Sequence, residues 1–144
     1  VAVSSKVYGP ALLSLWNGEM IWTTQTFKAL LTSSVYSPNQ DTHRYKSDLT
    51  GEVTGTGYTA GGVTLTSKTI TYDATSNTVT LDCADPSWSA STITARYLVV
   101  YRDTGTASTS PLVCYVDFGE DRSTGATTFT YVVPSTGVAQ FLAA

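Results

Sequence analysis

Apolar and polar residues alternate with a period of two over much of the second half of the chain, the pattern of strands with one covered face. Val63 and Leu65, Ile70 and Tyr72, and Val79 and Leu81 repeat this spacing, each pair separated by a threonine. The run DATSN over 73–77 reads as a hairpin loop between the second and third pairs. Two later segments, ITARYLVVY over 93–101 and LVCYVDF over 112–118, are apolar on both faces. Such runs belong at the centre of a sheet covered on both sides. Residues 127–133 and 138–142 close the chain around a turn at Pro134 to Gly137. Eight or more short strands with frequent turns predict a mainly β chain, an antiparallel β-sandwich of jelly-roll-like kind.

The first half adds helical signals. In PALLSLW, residues 10–16, proline stands at a first helical position and Leu12, Leu15 and Trp16 fall at helical spacing. This predicts a short amphipathic helix that Asn17 and Gly18 stop. Residues 20–31 alternate as a strand does, with a break near Gln25 to Phe27. Ser37 and Pro38 open a turn, after which Asp41 is placed to cap a second short helix. In it Tyr45 and Leu49 share a side, while Arg44, Lys46 and Asp48 face water. Gly51, Gly55, Gly57, Gly61 and Gly62 then end that run and admit backbone angles closed to other residues. The expected fold therefore carries one or two short N-terminal helices. With no internal repeat and no change of composition, 1–144 reads as a single domain, with 1–7 as a candidate N-terminal arm. Residues 102–110, RDTGTASTS, form the longest loop without apolar anchors and read as mobile or presented to a partner.

Composition narrows the classes of function. A chain of 144 residues buries roughly 70% of its unfolded surface without a metal or disulfide staple. Only 13% of residues are charged, so threonine, serine, asparagine and glutamine must supply the surface. A net charge of −3 with eight scattered Lys and Arg gives no footprint for nucleic acid or an anionic membrane. No apolar run is long enough to span a bilayer, and VAVSSKVYGP lacks the apolar core of a signal peptide. Cys83 and Cys114 lie in apolar strand-like runs without CxxC spacing and read as buried free thiols.

Candidate chemistry is sparse. His43 is the sole histidine and sits among Asp41, Arg44 and Lys46 with no GxSxG elbow elsewhere, so it reads as a solvated or helix-packing residue. Asp117, Glu120 and Asp121, with Asp82 and Asp85, do not match a calcium loop and read as strand-end carboxylates. The glycines of GTGYTAGG lead into a strand and lack the Gly-Lys-Ser/Thr of a phosphate loop. Trp16, Trp22 and Trp88, with nine tyrosines, are candidates for a sugar-stacking platform, although period-two aromatics ordinarily pack a core. No catalytic, cofactor-binding or metal-ligating set is expected, nor a small-molecule substrate. A threonine-rich, weakly charged β surface suits extensive protein contact, because ordering threonine costs less side-chain entropy than ordering lysine or glutamate.

Several segments together resemble a known family. KVYGPALLSLWNGEMIWTTQTFKALLTSS, YSPNQDTHRYKSDLTGEVTGTGYTAGGVTL, ITARYLVVYRDTG and PLVCYVDFGED occur in the order found in small structural proteins of tailed bacteriophages. The recurrent elements correspond to Asp41–His43, Glu52 and Val53, Gly57–Gly62 and Tyr115–Gly119, and the resemblance runs from Lys6 to Phe141. The resemblance implies a capsid cement or decoration protein with no catalytic residue. Such a protein lies on the outer surface of the virion capsid, having assembled in the host cytoplasm. It bridges neighbouring copies of the major capsid protein, as a homo-trimer at local three-fold axes. The contacts it implies fall on the arm, with Val1, Val3 and Lys6, on Trp16, and on Arg102, Thr104 and Thr106 of the loop. The alternative is a tail or fibre accessory protein that recognises a host surface glycan.

Overall fold

The computed structural model describes residues 2–143. Among them the chain is mainly β and antiparallel, with ten strands, one α-helix and two short 3-10 turns, in a sandwich-like arrangement. The strands are β1 (Ser4–Val7), β2 (Phe27–Thr32), β3 (Val63–Thr64), β4 (Thr69–Asp73), β5 (Thr78–Asp82), β6 (Ser87–Ser91), β7 (Thr94–Arg102), β8 (Leu112–Ser123), β9 (Thr127–Thr130) and β10 (Ala139–Leu142). The helix α1 spans Gly9–Trp16 and follows β1 directly.

A five-stranded sheet runs in the order β1-β8-β7-β2-β3, and the two doubly apolar segments are its inner strands β7 and β8. Leu98, Val99, Val100 and Tyr101 of β7 pair with 112–116 of β8, and all four are buried. Burying each such aliphatic side chain contributes about 2 kcal/mol. A smaller sheet, β10-β5-β4, contains the hairpin whose loop is 74–77. The β6-β9 ribbon packs aromatic rings onto β8: Trp88 meets Phe129 at 5.8 Å, and Phe129 meets Phe118 at 5.7 Å. Cys83 and Cys114 are free and buried, and burial pushes their thiols up to about 11 and about 12.

Three sequence expectations need correction. Residues 41–49 form no α-helix; only Lys46–Asp48 makes a 3-10 turn. The backbone of 44–46 is taken by a distant segment instead: Lys46 N–H donates to Ser110 O, and Leu112 N–H donates to Arg44 O, both at 2.8 Å. Asp48 Oδ2 accepts from the N–H groups of Arg44 and Tyr45, and Asn39 rather than Asp41 receives the preceding turn's N–H groups. Residues 20–26 are turn rather than strand, because Gln25 folds back onto Ile21 through both its N–H and its side-chain oxygen. Finally, Ser4–Val7 of the expected arm is an edge strand paired with Cys114–Asp117.

Ion pairs across the sheet and between sheet and loop make the protein sensitive to acid. The Lys28 ammonium, at 2.8 Å, holds the Asp103 carboxyl below the usual range, and the Arg96 guanidinium, at 2.8 Å, does the same for Asp117. Burial tends to raise Asp48, but the two N–H donations prevail and lower it. Folded carboxyls that resist protonation bind fewer protons than unfolded ones, so their stabilisation is present above the ordinary carboxylate pKa and lost as pH falls through the lowered values. The urea midpoint is expected to fall between about pH 5 and pH 2. Lys28→Met and Arg96→Met should each flatten that fall; a slope unchanged in both variants would remove these pairs as its cause.

Candidate functional site

Helix α1 presents its larger side chains to solvent. Pro10 fits the first turn, Asn17 N–H closes the end on Leu13 O at 2.9 Å, and the eight-residue helix rests on β8 through its small residues. Ala11 and Ser14 are buried, and Arg44 Nε reaches Ser14 Oγ at 3.2 Å while its Nη2 pairs with Glu19 at 2.9 Å. Leu12, Leu13, Leu15 and Trp16 are left exposed, Trp16 at 87%. The amphipathic reading of this helix therefore has its covered side reversed: the small residues allow close approach to the sheet, and the leucines do not lie there.

Beside those side chains a groove of about 570 Å³ opens between α1, the 20–23 turn and the smaller sheet. Its floor is core: Met20, Trp22, Phe27, Leu81 and Val113 are all buried. Leu12, Leu15, Trp16, Ile21, Ile70 and Leu142 form the rim, each at least 44% exposed. The Trp22 ring is fixed by Nε1 donating to Thr69 O at 2.9 Å and by packing on Phe27 at 4.7 Å. No lining residue among those described is charged. The two layers thus leave their apolar interior open at this end.

Of the contact residues expected from the sequence, Trp16 lies on this groove, whereas Val3 and Lys6 are exposed on and before β1. Val1 lies outside the described residues. Arg102 is turned to internal work, its Nη1 donating to Glu19 O at 2.9 Å. The loop after it is knotted rather than loose: Thr104 Oγ1 lies 2.7 Å from Thr109 Oγ1 and 3.0 Å from Ser110 Oγ. Thr104 and Thr106 remain exposed on that knot. Ile21, Ile70 and Leu142 are not among the contacts expected from the sequence. The available signal was the apolar composition of PALLSLW on every side, which one sheet cannot cover.

The residues considered for chemistry go elsewhere. His43 stacks on Tyr36 at 5.5 Å, and its Nδ1 receives the Asn39 N–H at 3.3 Å. A backbone N–H only donates, so Nδ1 is the acceptor, Tyr36 OH donates to it at 2.8 Å, and buried Tyr8 donates to Tyr36 at 2.7 Å. Burial raises both phenols, Tyr36 to about 12 and Tyr8 further. This chain joins the start of α1 to the 36–43 turn. Glu52 Oε1 accepts from Tyr58 OH at 2.8 Å and from Gly61 N–H, and Tyr101 OH donates to Gly61 O at 2.7 Å. Among the described residues no three His, Cys, Asp or Glu side chains gather as a metal site. Trp22 and Trp88 are buried, so the three tryptophans form no common sugar platform. Compared with family models, with curated proteins and with solved structures, the chain matches none.

Proposed function

We propose that the chain is a bacteriophage virion structural protein of the capsid cement or decoration type, bound to the outer shell and bridging neighbouring major capsid subunits. The observation that carries this reading is the uncovered apolar face around the groove, with core side chains for a floor and Trp16 standing free on its rim. Exposed apolar patches beyond a few hundred Å² mark interaction surfaces, and aromatic anchors supply much of the energy at protein interfaces. A cleft built for chemistry brings a few polar or titratable groups to converge in an apolar pocket. Here the lining among the described residues is almost wholly hydrocarbon.

The sparsely charged surface fits the same role, since many modest contacts repeated over a shell make dissociation slow. The test is to add the purified chain to expanded empty heads that lack it, then measure co-sedimentation and the heads' melting temperature. Binding and a raised melting temperature are expected, and Ile21→Glu, at an exposed rim position, should weaken both. Failure to bind heads in any state would sink the proposal, and labelling confined to tails would move the protein to the tail.

A further inference from the structure

We infer that the groove receives a second copy of this chain, so that the protein pairs two-fold with each copy's Trp16 lodged in its partner's groove. The inference rests on reading the chain as an assembly subunit and names one contact within that assembly. Three observations select this occupant over an unrelated partner.

Knob and hole lie on one face. Trp16, the most exposed large apolar side chain among the described residues, stands on the rim of the very groove that would receive its counterpart. A two-fold interface needs both complementary features on a single patch, because residue i meets j while j meets i. A closed ring of three would need them on different faces, so this geometry favours a pair over the three-fold set that the resemblance implies.

Charge is the second observation. Each copy carries a net −3, which opposes self-association at most surfaces. On this face no lining residue is charged, so two copies meet without bringing like charges together. Beside buried Ser14 on the helix's other side, Arg44 and Glu19 neutralise each other at 2.9 Å.

Area is the third. Trp16 alone offers about 200 Å², and Leu12, Leu15, Ile21, Ile70 and Leu142 extend the uncovered apolar surface around it. Together they reach several hundred Å², on the order of the ~800 Å² each partner brings to a standard interface.

Sedimentation equilibrium of the intact chain over a range of concentrations tests the pairing, together with tryptophan emission. The mass is expected to rise to twice that of the chain. Emission should shift to the blue as it does so, because Trp16 leaves water while Trp88 and the groove-floor Trp22 are already buried. Trp16→Glu should raise the dissociation constant about thirtyfold or more, as loss of a central aromatic anchor does, without lowering the melting temperature of the dilute protein. Val35→Glu, at an exposed apolar position beside Gly51 and away from the groove, should leave pairing unchanged. A mass of one chain at every concentration, a mass of three, or a dimer indifferent to Trp16→Glu overturns the inference. Head binding is measured separately: a monomer that binds heads through Trp16 overturns the pairing and leaves the cement reading standing, whereas a Trp16-dependent dimer that binds no head does the reverse.

Discussion

Gly62→Ala is expected to leave the chain without a stable fold. Gly62 holds a φ of +81° at the entrance to β3, where its N–H closes the preceding turn on Thr59 O at 3.0 Å. A methyl group there would run into the Ala29 carbonyl and sit 2.7 Å from Leu30 Cα. Both are backbone atoms of β2, a strand pinned between β3 and β7, so neither can swing aside as a flexible side chain would. Clash and backbone strain together should cost about 4 kcal/mol or more, enough to exhaust a margin at the low end of the ~5–15 kcal/mol of typical domains. Gly105→Ala separates the two contributions. Gly105 has a φ of +88° but open space where its Cβ would go, leaving backbone strain alone at about 1–2 kcal/mol. In urea titrations followed by circular dichroism, Gly105→Ala should unfold cooperatively at a slightly lower midpoint, and Gly62→Ala should lack a folded baseline. Equal midpoints would mean that β2 and the 59–62 turn part easily, against the close approach described above.

That contrast also indicates what a sequence discloses. The strands of the second half are legible because their partners enforce a period of two, and Gly62 is legible as a turn glycine because GTGYTAGG has few other uses before a strand. What a local window does not contain is the partner. Tyr45 and Leu49 have helical spacing, yet Ser110 and Leu112 take the backbone bonds that a helix there would need. Residues 20–26 alternate like a strand but find no neighbouring ladder, and Gln25 closes them into a turn. In α1 the periodicity correctly gave a helix, but periodicity counts apolar residues and not the distance available beneath them. Ala11 and Ser14 are the buried positions of α1, and this reversal leaves Leu12, Leu15 and Trp16 on the exposed rim. The groove became visible only once Ile70 and Leu142, distant in sequence, came beside Trp16.

Glu52→Leu is expected to destabilise the fold by about 3 kcal/mol while leaving the groove intact. One carboxylate oxygen accepts from both Tyr58 OH and Gly61 N–H, and the substitution leaves one half-buried and one buried donor without it, each at about 1–3 kcal/mol. Tyr58 OH also accepts from Leu31 N–H at 3.1 Å, so the loss reaches β2. The two side chains act as a unit, and a double-mutant cycle with Tyr58→Phe should therefore show a coupling of about 1 kcal/mol or more; additive losses would mean that Glu52 holds Gly61 independently. These residues lie in the segment Glu52 to Gly62, on which the expectation of a phage structural protein partly rests. If that segment locks a turn and touches no partner, folded Glu52→Leu protein at low temperature should bind expanded heads as the parent chain does. Loss of head binding by a variant whose circular dichroism is unchanged would make the turn itself a contact surface, at the sheet edge formed by β3.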